Sequence, residues 1–330
     1  MMIDETLPRP MVEQELLADR LHGALLGLAV GDALGTTVEF KSRGTFTPVV
    51  DMVGGGPFQL PAGAWTDDTS MALCLAVSLI KKHGFDERDQ MERYCLWHEQ
   101  GYMSSTGDCF DIGTTVYSAL QRFKATAEPY SGATDERSAG NGCLMRLAPI
   151  PMFYRHDRAQ AIRFSGDSAR TTHGAQECID ACRLFGAMLH DAISGLGKEQ
   201  ILFGQFDHEV ASQRIIDIFA GRYREKSVEE IRGSGYVVES LEAALWCFYH
   251  TDNYRDAVLM AVNLGDDADT TAAICGQIAG AFYGECAIPS EWMENLFMAS
   301  QIREIADQLS GCGVDGKLST EKLVVGTISH

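Results

Sequence analysis

Apolar residues recur along most of the chain at intervals of three or four, the spacing of one face of an α-helix, and alternating strand patterns are nearly absent. The segments 178–190 (CIDACRLFGAMLH) and 241–250 (LEAALWCFYH) show this apolar stripe clearly. The pattern predicts helices at 13–30, 67–83, 86–100, 111–125, 141–148, 157–168, 174–195, 198–205, 208–222, 239–250, 253–264, 268–284 and 290–310. The expected fold is therefore all-α, a compact single-domain bundle of more than ten helices.

The chain shows neither a change in composition that would mark a linker nor a repeat of fixed period. We expect one domain over residues 19–312, an N-terminal arm over 1–18 and a C-terminal tail over 313–330. The longer irregular stretches are predicted at 41–66, 101–110 and 126–142. Long loops in a helical domain are often functional, so these stretches are candidates for the walls of a site.

Charge and cysteine usage exclude several functions. The net charge of −19 argues against a nucleic-acid or anionic-membrane partner, because no basic cluster offsets it. The N-terminus lacks the pattern of a secretory signal, and the longest apolar run, 71–77, is far shorter than the roughly 20 residues that span a bilayer. The ten cysteines form no CxxC pair, so we expect no zinc site and reduced thiols in a cytoplasmic protein.

Two stretches place adjacent acids next to threonines and directly ahead of an apolar run: WTDDTSMALCLAVSLI (65–80) and LGDDADTTAAICGQIAG (264–280). Ordinary helix capping explains one or two acids at a helix start. It explains three poorly, because Asp266, Asp267 and Asp269 repel one another unless a cation or solvent screens them. A metal site is therefore the alternative to capping.

The spacing of these acids sets conditions on such a site. On a continuous helix Asp267 and Asp269 would point about 200° apart, so they converge only if a turn enters the helix there, which Gly265 permits. Oxygen donors without histidine or cysteine select Mg²⁺ or Mn²⁺. If the two stretches meet in the fold, they would form a binuclear centre, whose ions usually lie about 3.5–4 Å apart.

A third stretch, GLAVGDALGTTVEF (27–40), combines small residues with two acids. Gly23, Gly27, Ala29 and Gly31 predict close packing against another helix. Asp32 is expected to cap a helix or to support metal ligands from behind. Glu39, beside apolar Phe40, could place a water or carry a proton near the metals.

Six motifs in this order, GDALGTTVEF, WTDDTSMAL, CFDIGTTV, GNGCLMRLAPI, GYVVESLEAALWCF and NLGDDADTTAAICGQIAGAFYG, resemble those of the ADP-ribosylglycohydrolases. The branch with the greatest similarity is that of the bacterial dinitrogenase-reductase-activating glycohydrolases, and the resemblance spans residues 20 to 295. It implies an all-α fold with a binuclear Mg²⁺ or Mn²⁺ centre. It also implies hydrolysis of the glycosidic bond that joins ADP-ribose to a protein side chain or a small acceptor.

The resemblance further implies roles for individual residues. The metal ligands would be Thr66, Asp67, Asp68, Asp267, Asp269 and Thr270, with Asp266 outside the ligand shell. Glu39 and Asp111 would act in catalysis, and Asp111 corresponds to an acid associated with arginine-linked substrates. The substrate, including its diphosphate, would be bound by Ser138, Gly140, Asn141, Gly142, Met145 and His173, with Arg146 lining or bracing that pocket.

Three hypotheses follow. The first is a metal-dependent hydrolase that removes ADP-ribose from arginine side chains of modified proteins. The second is a binding or immunity protein that neutralises an ADP-ribosylating toxin through its N-terminal arm or acidic surface, with or without hydrolysis. The third is a metal-dependent phosphohydrolase, which no phosphate-transfer motif supports.

Overall fold

The computed structural model describes residues 12–206 and 208–311 of the chain. These residues form fourteen α-helices: α1 (Glu13–Gly35), α2 (Asp67–Lys82), α3 (Glu87–Gln100), α4 (Thr114–Thr126), α5 (Pro149–Phe153), α6 (Arg158–Arg170), α7 (Gln176–Ile193), α8 (Lys198–Phe203), α9 (Gln213–Phe219), α10 (Val237–Tyr249), α11 (Tyr254–Val262), α12 (Ala268–Tyr283), α13 (Ser290–Asn295) and α14 (Ala299–Ser310). Four short 3₁₀ helices occur at 136–138, 222–225, 228–230 and 285–287. Across the described ranges, β pairing is limited to isolated bridges such as Ser42–Gly265, so the predicted all-α fold is confirmed.

Helices α1 and α12 pack antiparallel at very short range because glycines line the contact. A Cβ atom built on Gly23 would lie 2.2 Å from the carbonyl oxygen of Gly280, and one built on Gly35 would lie 2.3 Å from the Cα of Asp269. Gly27 and Gly31 meet Gly276 and Ala272 in the same way. The predicted close packing of this glycine stripe is confirmed, and it places the end of α1 beside the start of α12.

Two polar contacts tie helix ends together around this pair. Lys198, at the start of α8, donates to the carbonyl of Phe248 (3.0 Å) and to the hydroxyl of Tyr283 (2.9 Å). His22 of α1 bridges the carboxylates of Glu285 (3.0 Å) and Asp307 (2.7 Å). Burial lowers the pKa of His22, but its hydrogen bonds to the two acids outweigh burial and raise the pKa above the usual 6.5.

The predicted helix at 141–148 is wrong: this segment is a series of turns, and α5 begins only at Pro149. The reason is a side chain from α12. Gln277 donates to the carbonyls of Leu144 and Met145 (both 3.0 Å), and its oxygen accepts from the amide of Ala148 (2.8 Å). These bonds take the place of helical ones, because they satisfy the same backbone groups.

Other predicted boundaries also change. The segment 290–310 is two helices, since Met298 adopts a left-handed φ of 57° between them. Helix α4 begins at Thr114 rather than at 111, because Asp111 is itself left-handed with a φ of 60°. Helix α9 covers less than half of the predicted 208–222.

The outer segments of the prediction are only partly described. Residues 13–18 of the predicted arm form the first turns of α1, with residues 12–16 exposed. Residues 1–11 and the predicted tail at 313–330 lie outside the described residues. In the described part of the chain, no helix combines the length and the apolar character needed to cross a bilayer.

Candidate metal and substrate site

Asp32, near the end of α1, holds the first turn of α2 from outside that helix. One carboxylate oxygen accepts from the amide and the hydroxyl of Thr66, both at 2.9 Å. The other accepts from the amide of Thr69 at 3.0 Å and from its hydroxyl at 2.6 Å. Asp32 is fully buried, and it supplies the capping bonds that Thr66 does not make through its own side chain.

The starts of α2 and α12 meet beside this cap. The hydroxyl of Thr270 donates to Asp68 at 3.2 Å, and the hydroxyl of Thr66 lies 3.5 Å from Asp269. Neither threonine therefore makes a local cap for its own helix. The predicted meeting of the two acidic stretches is confirmed, and simple capping does not account for it.

Buried carboxylates converge where these helices meet. Single oxygens of Asp32, Asp68 and Asp269 lie within 4.8 Å of one another, and so do single oxygens of Glu39, Asp111 and Asp269. Among the described residues, Asp68 Oδ2, Asp269 Oδ1 and Glu39 Oε2 have no hydrogen-bond partner. Buried acceptors without donors need a cation or protons, and an all-oxygen set fits Mg²⁺ or Mn²⁺. The residues present therefore fit the metal centre that the sequence predicted.

The electrostatics of the cluster agree with this reading. Burial and then repulsion between neighbouring acids raise the pKa of Asp67, Asp68 and Asp269 well above the usual range. Burial also raises the pKa of Asp267, against a hydrogen bond that its carboxylate accepts from Asn141 Nδ2 at 2.7 Å. Bound dications would reverse these shifts, because opposite charge favours the ionised carboxylate.

Glu39 and Asp111 face each other at the edge of the cluster. Burial, followed by the charges of Asp111 and Asp267, raises the pKa of Glu39 to about 9. Burial, followed by the charges of Asp32 and Asp267, raises the pKa of Asp111 to about 7. Both carboxyls lie beside the proposed metal ligand Asp269, where a general acid or base could exchange a proton with a substrate.

A cavity of about 680 Å³ opens above the acids. Most of the predicted site residues line it: Glu39, Asp67, Asp111, Gly140, Asn141, Gly142, Met145, His173, Asp266, Asp267, Asp269 and Thr270. Asp32, Thr66 and Asp68 are buried and are not part of this lining. A volume of this size suits a nucleotide-sized ligand.

The loop that carries Gly140 and Gly142 rests on the ring of His173. Cβ atoms built on these glycines would lie 3.3 and 3.0 Å from that ring, so the absence of side chains allows the close approach. Asn141 is bound to the segment before α10, since its backbone amide donates to the carbonyl of Gly235 at 3.1 Å. The loop therefore presents backbone and small groups to the cavity, as a diphosphate cradle requires.

Burial, with Arg146 nearby, lowers the pKa of His173 to about 4, so its ring is neutral at pH 7. Arg146 donates to the hydroxyl of Thr172 at 2.7 Å, and that hydroxyl lies 2.8 Å from Nδ1 of His173. Arg146 and Thr172 therefore hold the ring of His173 in place through Nδ1. His173 thus presents a neutral, fixed ring to the cavity.

Two further predicted residues, Ser138 and Arg146, also lie away from the cavity wall. Ser138 donates to the carbonyls of Ala133 (3.1 Å) and Asp135 (2.6 Å) and so holds its own loop. Arg146 is fully buried and braces the site from below, with its guanidinium 4.6 Å from the ring centroid of Tyr94.

Sequence reasoning missed part of the wall. The cavity is also lined by Phe40, by Ser234 and Gly235, and by residues 112–116. The glycine-bearing RGSGY segment (232–236) is a sequence signal for Ser234 and Gly235.

The described geometry agrees with comparisons between this chain and known proteins. The family model for ADP-ribosylglycohydrolases matches residues 13–316. The chain belongs to the ADP-ribosylglycohydrolase family. It is accordingly a glycohydrolase, and the family resemblance predicted from the sequence is confirmed.

Individual relatives align with most of this chain. The ADP-ribosylarginine hydrolase Tri1 of Pseudomonas putida (strain GB-1) is 44% identical over 295 residues, which span 89% of this chain and 79% of the relative. The ADP-ribosyl-[dinitrogen reductase] glycohydrolase of Rhodospirillum rubrum is 35% identical, over 88% of this chain and 94% of its own length. A solved ADP-ribosylglycohydrolase-related protein complex aligns with a TM-score of 0.79 and 40% identity, over 90% of this chain and 99% of that one.

Proposed function

We propose that this glycohydrolase cleaves the N-glycosidic bond between ADP-ribose and arginine side chains of modified proteins, with two Mg²⁺ or Mn²⁺ ions bound by the acids of α2 and α12. The observation that supports it most is the convergence of buried Asp67, Asp68 and Asp269 and half-buried Asp267 at a nucleotide-sized cavity. The arginine acceptor is supported by relatives named as ADP-ribosylarginine hydrolases, two of which are 44% identical to this chain.

In this proposal, Thr66, Asp67, Asp68, Asp267, Asp269 and Thr270 hold the ions, and Asp32 fixes the α2 end of that set. Bound dications would act as Lewis acids toward ribose hydroxyls and water. Asp32 cannot move freely, because it accepts four hydrogen bonds inside the protein. The ligand positions are therefore organised before the substrate binds.

The chain's own groups would then divide the remaining work. The glycine loop and the ring of His173 would bind the diphosphate end of the substrate. Glu39 and Asp111 lie together at the metal end, where one protonated carboxyl can donate to the departing guanidine nitrogen. The surrounding carboxylates favour the positive charge that develops on the ribose ring in an oxocarbenium-like transition state.

The direct test is release of ADP-ribose from arginine-linked and serine-linked conjugates with Mg²⁺ or Mn²⁺, and with EDTA as the metal-free control. We expect metal-dependent release from the arginine conjugate and loss of activity in Asp67→Ala and Asp269→Ala. Asp157→Ala is the matched control, because Asp157 caps the start of α6 away from the cluster. Equal activity in EDTA, or wild-type turnover by the cluster variants, would contradict the metal model.

A second role, neutralisation of an ADP-ribosylating toxin by direct binding, is supported by the net charge of −19, which suits a basic partner surface. Asp269→Ala separates the two roles, because it removes hydrolysis and leaves the outer surface intact. If this variant still blocks transfer of ADP-ribose by such a toxin, binding is a function of its own; if transfer proceeds unimpeded, hydrolysis alone remains. We place either role in the cytoplasm, which the seven buried free cysteines support.

A further inference from the structure

Three phenylalanines from three separate segments form a row that begins at Phe40 in the wall of the cavity. The ring centroids of Phe40 and Phe58 are 6.5 Å apart, and those of Phe58 and Phe110 are 5.3 Å apart, both in edge-to-face contact. Phe40 follows α1, Phe58 lies at the tip of the turn between Gly55 and Leu60, and Phe110 precedes α4. We call these three residues the aromatic row.

The backbone holds Phe40 out in solvent. Its side chain is 68% exposed, and its φ of 62° is a left-handed conformation that large side chains rarely adopt. The amide of Phe40 donates to the carbonyl of Asp266 at 2.7 Å, and the amide of Asp266 donates back to Lys41 at 2.8 Å. An apolar ring kept exposed by a strained and doubly tethered backbone indicates a contact with a ligand or partner rather than a role in the core.

The aromatic row adjoins Glu39 and Asp111, the two acids proposed to act on the glycosidic bond. Phe40 directly follows Glu39 and Phe110 directly precedes Asp111, and Phe40, Glu39 and Asp111 all line the cavity. The glycine loop instead contacts His173 and Gly235. If the diphosphate binds at that loop and the ribose at the acids, the row lies on the side from which the acceptor side chain leaves.

The chemistry of the row suits one acceptor better than another. A guanidinium that is glycosylated on nitrogen remains a cation, and cations bind to aromatic faces. Acids border the row: Glu39 and Asp111, whose carboxylate oxygens lie within 4.8 Å of each other, are the chain neighbours of Phe40 and Phe110. Of the nearby basic side chains, Lys41 donates to the carbonyl of Thr37 at 3.5 Å and Arg43 donates to the carbonyl of Leu264 at 3.3 Å. A serine ether has no charge for either the rings or the acids to recognise.

We propose that the aromatic row is the acceptor-side binding surface of this enzyme, where it contacts the guanidinium and alkyl stem of the modified arginine and the polypeptide around it. This inference rests on the proposed function and specifies which residues select the acceptor. The row binds the part of the substrate that free ADP-ribose lacks. Its removal should therefore affect substrate and product differently.

The test measures KM and kcat for an arginine-linked ADP-ribosylated protein together with the affinity for free ADP-ribose. In Phe40→Ala and Phe58→Ala we expect KM to rise about fivefold or more, as for loss of a cation–aromatic contact, with ADP-ribose affinity unchanged. Phe40→Leu keeps an apolar side chain without an aromatic face, and we expect it to behave as Phe40→Ala does. Val50→Ala is the matched control, because Val50 is 65% exposed and lines no part of the cavity.

The possible results separate the two proposals. If the wild-type enzyme releases no ADP-ribose from the arginine conjugate, the proposed function fails, and the acceptor-side role fails with it. If wild-type release is normal and both phenylalanine variants keep wild-type KM, only the role of the row fails. Equal weakening of ADP-ribose binding and of protein binding would also overturn it, since the row would then contact the nucleotide. Circular dichroism and Tm show that each variant is folded.

Discussion

The close packing of α1 on α12 predicts that one added methyl group on α1 can displace Asp269 and so weaken metal binding. In Gly35→Ala, the added Cβ would lie 2.3 Å from the Cα of Asp269 and 2.5 Å from the carbonyl oxygen of Ala268. Both obstacles are backbone atoms, so no side chain can rotate away. Carbon atoms need about 3.5 Å, so the two backbones must separate by roughly 1.2 Å at this point.

That displacement is large compared with what a metal site tolerates, because ligand distances must stay within about 0.2 Å of their ideal values. Even if the helices absorb half of the movement elsewhere, Asp269 leaves its place relative to Asp68. Overpacking of this kind typically costs about 1–3 kcal/mol of unfolding free energy. With an unfolding entropy of about 2.1 cal/mol/K per residue, a chain of 330 residues should lose about 1.5–4 °C in Tm.

Gly23→Ala is the matched control, because its Cβ would meet the carbonyl oxygen of Gly280 at 2.2 Å in the same helix pair. The two glycines are twelve positions apart, about 18 Å along the helix. We expect both variants to lose similar Tm in EDTA, measured by calorimetry. Only Gly35→Ala should also lose Mn²⁺ affinity, measured by isothermal titration and by the rise in Tm that Mn²⁺ produces.

A Gly35→Ala protein that binds Mn²⁺ as tightly as the wild type would refute the reasoning that the α1–α12 contact fixes the acids. Loss of Mn²⁺ affinity in both variants would refute it as well. The metal centre would then respond to general destabilisation of the fold rather than to the position of Asp269.

Three further predictions concern polar groups. In Asp32→Asn, one carboxylate oxygen that accepts hydrogen bonds is replaced by an NH₂ group that can only donate. The unfolding free energy measured with urea should therefore fall by about 1–3 kcal/mol, and Mn²⁺ affinity should fall as well. An unchanged urea midpoint would show that the protein does not need this cap. His22 has a raised pKa in the folded protein, so its contact with Glu285 stabilises fully below pH about 6.5 and is lost as pH rises through the folded pKa. The difference in unfolding free energy between wild type and His22→Gln should therefore shrink from pH 6 to pH 8, and a difference that grows would contradict the assignment. Lys198→Met should cost about 1–3 kcal/mol in thermal or urea unfolding, because the carbonyl of Phe248 loses its lysine donor; wild-type stability would show that water replaces it.

Much of the fold was available from local patterns alone. A helix buries one face whatever its neighbour is, so spacing by three and four marks α2, α7, α10 and α12 before any partner is known. The acids at 67–68 and 267–269 are also recognisable from the sequence. Several like charges at one helix start repel one another, and capping by one side chain does not explain them. The small residues from Gly23 to Gly31 likewise predicted a close contact between helices.

What the sequence could not supply depends on residues far apart in the chain. The segment 141–148 has a helical pattern, but Gln277, 133 residues beyond Leu144, takes up its carbonyls and keeps it as turns. Asp32 caps a helix that begins 35 residues later, and no local signal distinguishes that bond from an ordinary cap.

The sequence by itself thus determined most of the helical segments and predicted which acids would bind a cation, since both inferences rest on neighbours along the chain. The tertiary structure alone decided that two helix starts share one buried cluster. It also decided that Ser234 and Gly235 line the cavity and that Phe58 and Phe110 join the cavity residue Phe40 in one aromatic row. The physical reason is that these arrangements depend on how the helices pack. The close α1–α12 contact, for example, depends on how two backbones fit together in space, and a pattern along the sequence does not contain that information.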